Sequence, residues 1–198
     1  MLVKSSEIIT RLKTVPETTD NKKPEPISVV TDEGEGVFVD DKSLSLSKAI
    51  GLLKPGKTTH FYSYGNFNLV RLILHLIKQT GPVNLFMTSY SISATSIEQL
   101  QRRIEQKLIL SFRLIMDNRV RSLSPKPFQM LSTVFNCRCS SIHAKVALLW
   151  NDTWHISIVT SQNATDNPKL ERGTIFTDPD IFKFDLNALE NEFNRGTT

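Results

Sequence analysis

Apolar residues recur at helical spacing in two clear places along this chain. Leu69, Leu72, Ile73, Leu76 and Ile77 make one stripe of a helix running to about Gln79, which Gly81-Pro82 closes and which Asn66 is placed to cap. Ile97, Leu100 and Ile104 make a second stripe over Ser93 to Gln106. Around them stand short apolar blocks of strand character: Thr58 to Tyr64, Val83 to Tyr90 and Leu108 to Met116, then Asn136 to Ser140, Ile142 to Trp150 and Trp154 to Thr160. Asn151-Asp152-Thr153 reads as a hairpin turn between the last two blocks. A shorter helix is expected near Leu44 to Leu53, followed by a turn at Lys54-Pro55-Gly56. The order β-α-β-α-β followed by paired strands predicts an α/β fold, a mixed β-sheet flanked by helices.

Residues Lys13 to Asp41 lack any such period and are rich in Thr, Pro, Glu, Asp and Lys, so residues 1–41 read as an N-terminal arm or linker. Residues 42–198 then form a single domain, consistent with a chain of 198 residues that can bury one core but not two. No stretch approaches the roughly 18 apolar residues that cross a bilayer, so no membrane partner and a cytoplasmic protein are expected. Cys137 and Cys139 stand two apart, which on a strand puts both on one face without disulfide geometry. With four scattered histidines they form no zinc-ligand spacing, and neither metal nor cofactor is expected.

Charge is segregated. Residues 1–41 hold five basic and nine acidic side chains, residues 42–145 hold fifteen basic against Glu98, Glu105 and Asp117, and the balance turns acidic again from Val146. A basic middle of this size attracts polyanions, and Arg102, Arg103, Arg119, Arg121 and Lys126 are the candidates for nucleic-acid contacts. Solvated helix faces would produce the same charge pattern.

The chemistry concentrates in Ile142-His143-Ala144-Lys145, the apolar run to Trp150, a turn, and Ile156 to Thr160 followed by Ser161-Gln162-Asn163. On a strand His143 and Lys145 share a face, and a returning strand can bring Ser161 and Asn163 alongside. An imidazole, an ammonium, a hydroxyl and a carboxamide around one volume suit a tetrahedral phosphate: the imidazole can attack phosphorus while Lys and Asn stabilise the equatorial oxygens.

The pattern H-x-K, apolar strand, turn, S-x-N resembles the signature of the phospholipase D superfamily. Asn167-Pro168-Lys169-Leu170-Glu171 further resembles compact members, often from phages and mobile elements, in which an acid soon after the Asn supports the catalytic His. The resemblance implies a phospholipase D-like domain and a metal-independent phosphodiesterase with His143 as nucleophile, forming a phosphohistidine. Lys145 and Asn163 would bind phosphate, Ser161 would assist, and Glu171 would hold the imidazole tautomer. The family uses two such motifs. One copy here implies a homodimer that completes the site. Two positions depart from the family: its Asp after the Lys falls at Trp150, and its Gly before the Ser is Thr160. The tyrosyl-DNA phosphodiesterase branch works with His, Lys and Asn alone. The charge pattern favours nucleic acid over phospholipid as substrate, and DNA is expected ahead of RNA.

Two other readings stay open. A catalytically inactive nucleic-acid-binding module of the same fold would carry the same residues. Gly51 to Thr58 also matches the P-loop pattern G-x-x-x-x-G-K-T, with Asp117 at the end of an apolar strand as its metal-binding acid. A P-loop needs a strand before the glycines and a helix at Lys57-Thr58, whereas the sequence favours the reverse order, with Pro55 where an amide would be needed.

Overall fold

The computed structural model describes residues 34–39, 46–123 and 125–197. Eight strands form one mixed sheet: β1 (Gly34–Val39), β2 (Thr58–Tyr64), β3 (Val83–Ser89), β4 (Ile109–Asp117), β5 (Asn136–Ser140), β6 (Lys145–Trp150), β7 (His155–Thr160) and β8 (Leu170–Phe176). The spatial order is β1-β2-β8-β7-β6-β3-β4-β5. Strands β3, β4 and β5 run parallel, as do β1 and β2, while the pairs from β2 through β8, β7 and β6 to β3 are antiparallel.

Helices cover both faces. On one side lie α1 (Leu46–Ile50), α2 (Leu69–Thr80), α3 (Ala94–Glu105), α4 (Val120–Leu123) and α5 (Pro125–Val134). They bury a large core with Phe61, Leu85, Met87, Leu114, Met116, Ala147, Leu149, Ile156 and Ile158 of the sheet. On the other side α6 (Pro179–Arg195) packs Phe182, Leu189 and Phe193 onto Phe86, Ile115, Val146 and Leu148. β3 is therefore apolar on both faces, which is why Leu85-Phe86-Met87 reads as a continuous hydrophobic run.

Several boundaries differ from expectation for identifiable reasons. The cap of α2 is Asn68, whose side chain accepts from Arg71 N at 2.9 Å, because the Asn66 carboxamide is taken by Tyr64 N. β1 lies inside the segment read as an arm, where the sequence offers no alternation to mark it; residues 1–33 of that segment lie outside the described residues. β8 and α6 have no counterpart among the sequence-predicted elements. The P-loop context is absent: α1 precedes the glycines and β2 follows them, Gly51 N closes α1 on Ser47 O, and Lys57 N is held by Thr177 Oγ1 at 2.9 Å. No helix among the described residues is long and apolar enough to cross a membrane.

One close approach matters for stability. Gly173 of β8 pairs with Phe61 of β2, and a Cβ on Gly173 would lie 2.2 Å from the Phe61 ring, whose side chain is fully buried.

Candidate functional site

The pairing directions place the carboxyl ends of β3, β4 and β7 and the amino ends of β6 and β8 on one edge of the sheet. In open α/β sheets this edge is where ligands bind. Here it gathers Tyr90 after β3, Asp117 and Arg119 at and after the end of β4, His143 and Lys145 at the start of β6, Ser161 and Asn163 after β7, and Glu171 at the start of β8.

His143 is exposed and lies just before β6 instead of within it. The backbone bends there because Ile142 N turns back to Ser140 O, and the buried hydroxyl of Thr88 donates to Ala144 O at 2.7 Å while accepting from Val146 N at 3.0 Å. Lys145 is buried, and its ammonium donates to His143 O at 2.7 Å, so the lysine itself fixes the loop that carries the histidine. Desolvation lowers the Lys145 pKa, and the negative charges of Glu171 and Asp117 oppose that shift.

The Tyr90 ring connects these groups. Its centroid lies 5.5 Å from that of the His143 imidazole in an edge-to-face contact and 5.7 Å from the Lys145 ammonium. Tyr90 N donates to Asn163 Oδ1 at 3.2 Å, and Asn163 O accepts from Leu69 N at the start of α2. The amide nitrogen of Asn163 is thereby left without a partner among the described residues, a donor available to a phosphate oxygen.

Glu171 is buried, and its carboxylate accepts from the Ser161 hydroxyl and from Asn167 Nδ2 (2.7 Å). Ser161 Oγ also accepts from Arg172 N at 3.0 Å. His143 has no hydrogen bond from its ring among the described residues, and Glu171 holds Ser161. Asn167 is set in place by Gly65, where positive φ (64°) lets the chain pass so close that a Cβ would meet Asn167 O at 2.0 Å.

The basic candidates divide. Only Arg119 stands at the site edge. Arg121 is bonded to Thr197, Lys126 is exposed on α5, and Arg102 and Arg103 occupy the last turn of α3, the end remote from Ser93, which bonds to Ala164 beside the site. Trp150, at the position of the family's Asp, packs on Phe182 in the core beneath α6. Tyr62 and Tyr64 lie on the sheet face opposite Phe61 and Ser63. His60 bonds to Thr174, His75 to Gln79, and His155 packs on Phe182. Burial pushes the Cys137 thiol up to about 12, which leaves it unreactive.

Sequence reasoning passed over Tyr90 and the acid role of Asp117 at this edge. Both follow long apolar strands running in parallel, the place where a site is expected once the sheet order is known. The buried Asp117 carboxyl sits below its ordinary pKa, chiefly because the Arg119 guanidinium bonds to it at 2.8 Å. Such a group adds stability that is fully present above its unfolded pKa and fades as pH falls through the lower, folded one. Arg119→Ala is therefore expected to move the midpoint of acid unfolding to higher pH, as followed by circular dichroism.

No family model and no curated protein matches this sequence. Solved structures do. The chain is similar to Nuc from Salmonella typhimurium, a phospholipase D family member, with a TM-score of 0.54 at 16% identity over 71% of this chain and 95% of that one. It is similar to NucT from Helicobacter pylori, with a TM-score of 0.52 at 13% identity over 71% of this chain and 99% of that one. It also matches about a quarter (26%) of a polyphosphate kinase from Porphyromonas gingivalis, with a TM-score of 0.53 at 15% identity over 69% of this chain. Two of these neighbours match over nearly their whole length: this chain has the phospholipase D fold.

Proposed function

We propose that the protein is a metal-independent phosphodiesterase that cleaves DNA through a phosphohistidine on His143. The observation that carries this reading is the meeting of an exposed imidazole, a buried ammonium and a free carboxamide nitrogen around Tyr90 at the ligand-binding edge of the sheet. In the first step an imidazole nitrogen forms a bond to phosphorus as the P–O bond to the leaving strand breaks. Lys145 and Asn163 hold the equatorial oxygens, and water then hydrolyses the P–N bond. Glu171 acts through Ser161 and through its charge on Lys145, so both stay in place as negative charge develops. These residues leave no task for a divalent ion. The basic middle of the sequence favours a polyanionic substrate.

The leaving oxygen needs a proton, and one motif supplies one imidazole. A second chain, related by a two-fold axis near His143, supplies the other. Light scattering is expected to give a dimer of the 22.4 kDa chain at micromolar concentration. A monomer with full activity would rule out the shared site.

One observation favours a second reading, a module that binds nucleic acid without cutting it: no carboxylate among the described residues is bonded to the His143 ring. Incubation with labelled single- and double-stranded DNA in EDTA, comparing wild type with His143→Ala, decides between the two. Cleavage by the wild type alone supports the phosphodiesterase. Binding without cleavage supports the module.

A further inference from the structure

Asp117 and Arg119 form a unit that the proposed reaction does not use. Asp117 ends β4, and its side chain is 4% exposed, whereas that of Arg119 is 60% exposed. The carboxylate accepts from Arg119 N at 3.0 Å and from Nε at 2.8 Å, and its second oxygen lies 3.5 Å from Nη2. The guanidinium carbon stands 4.7 Å from the centroid of the Tyr90 ring, the ring against which His143 and Lys145 are packed. One edge of the guanidinium is thus pinned to a buried acid and one face to an aromatic ring. Nη1 has no partner among the described residues.

A guanidinium held this way loses little side-chain freedom when it binds, and its fork geometry suits phosphate oxygens. If neutralising Asp117 were its whole task, a less exposed side chain would serve. The guanidinium carbon lies 4.7 Å and the imidazole centroid 5.5 Å from the Tyr90 centroid, so the two stand no more than about 10 Å apart, within the span of consecutive phosphates along a strand. We propose that Arg119 binds a backbone phosphate adjacent to the one that reacts, with Asp117 and Tyr90 as positioning residues. This inference rests on the nucleic-acid reading above and narrows it: the site takes a substrate with consecutive phosphates, not a lone phosphodiester.

Equilibrium binding of a fluorescently labelled single-stranded 12-mer DNA, measured by anisotropy in EDTA on a His143→Ala background, tests this without interference from cleavage. Arg119→Ala is expected to weaken binding about tenfold and to lower the slope of log Kd against log salt by about 0.7, the value of one phosphate contact on a single strand. Arg119→Lys keeps the charge but not the fork and recovers less than half of that loss on a logarithmic scale. Lys183→Ala removes a charge from an ion pair with Asp180 on α6 and should change Kd less than twofold. Asp117→Asn separates position from charge: it makes the protein more positive by one unit, yet it should weaken binding threefold or more, because Arg119 loses its anchor. Thermal melts establish that Asp117→Asn is folded at the assay temperature, and the Arg119 variants decide the question if it is not. The inference is overturned if Arg119→Ala binds like Lys183→Ala, or if folded Asp117→Asn binds more tightly than its parent. Should the parent bind no DNA at all, the nucleic-acid reading itself falls, and this inference with it.

Discussion

His143→Ala is expected to lower cleavage of a labelled DNA substrate in EDTA by about 10⁴-fold or more, with residual activity only from binding and charge stabilisation. The loss should be this large because no other imidazole can take over. His60 is bonded to Thr174, His75 is a buried residue of α2 bonded to Gln79, and His155 lies against Phe182, all away from the edge where Lys145 and Asn163 stand. Lys145 cannot substitute, since its ammonium is committed to His143 O and it is protonated in the role proposed for it. The measurement is a single-turnover time course with acid trapping, which should show a phosphoramidate in the wild type that is absent from the variant. Activity that requires magnesium and survives His143→Ala would falsify the phosphohistidine mechanism.

Gly173→Ala is expected to destabilise the fold by about 3 kcal/mol, a fall of about 6–12 °C in Tm for a domain of this size. The reason lies in the pairing of β2 with β8. The tip of the Phe61 ring covers Gly173, so an added Cβ would meet Phe61 Cζ at 2.2 Å, with Cε1 and Cε2 at 2.6 and 2.9 Å. The ring cannot swing aside, because it is fully buried and packed on Phe67 with centroids 5.6 Å apart. Combining Gly173→Ala with Phe61→Leu should recover part of the loss in a thermal melt, since the leucine vacates the space the methyl needs. Equal melting of Gly173→Ala and wild type would show that the two strands can part without cost.

Where burial alone decides structure, the sequence is legible. The stripe from Leu69 to Ile77 and the run from Val83 to Met87 became α2 and β3 because every apolar residue in them meets the core. β8 escaped for the opposite reason. Its core-facing positions include Glu171 and Gly173, a carboxylate and no side chain at all, so the alternation that marks a strand is missing where the site and the Phe61 contact displaced it. α6 carries Asp178-Pro179 as a start signal and Phe182, Leu186, Leu189 and Phe193 at helical spacing, a pattern that can be read without the structure. At the site, His143, Lys145, Ser161 and Asn163 are visible as a motif because they are close in sequence. Tyr90 and Asp117 are not, because only the side-by-side pairing of β3, β4 and β6 makes them neighbours. The capping residue of α2 shows the limit of local reading: Asn66 and Asn68 are equally suitable in composition, and a single backbone amide at Tyr64 decides between them.

The position of β8 between β2 and β7 governs how the chain can assemble. Thr58 and its ladder partner Phe176 are far apart in sequence, and closing so long a loop is entropically costly and slow. Until Leu170 to Phe176 emerges during synthesis, β2 and β7 each present an open ladder of unpaired amides and carbonyls, the kind of edge that recruits other chains. The same late strand delivers Glu171, which ties down Ser161. A nascent chain that already displays His143 and Lys145 therefore has an unfinished candidate site, and under the proposed mechanism cleavage becomes available only when β8 locks the sheet.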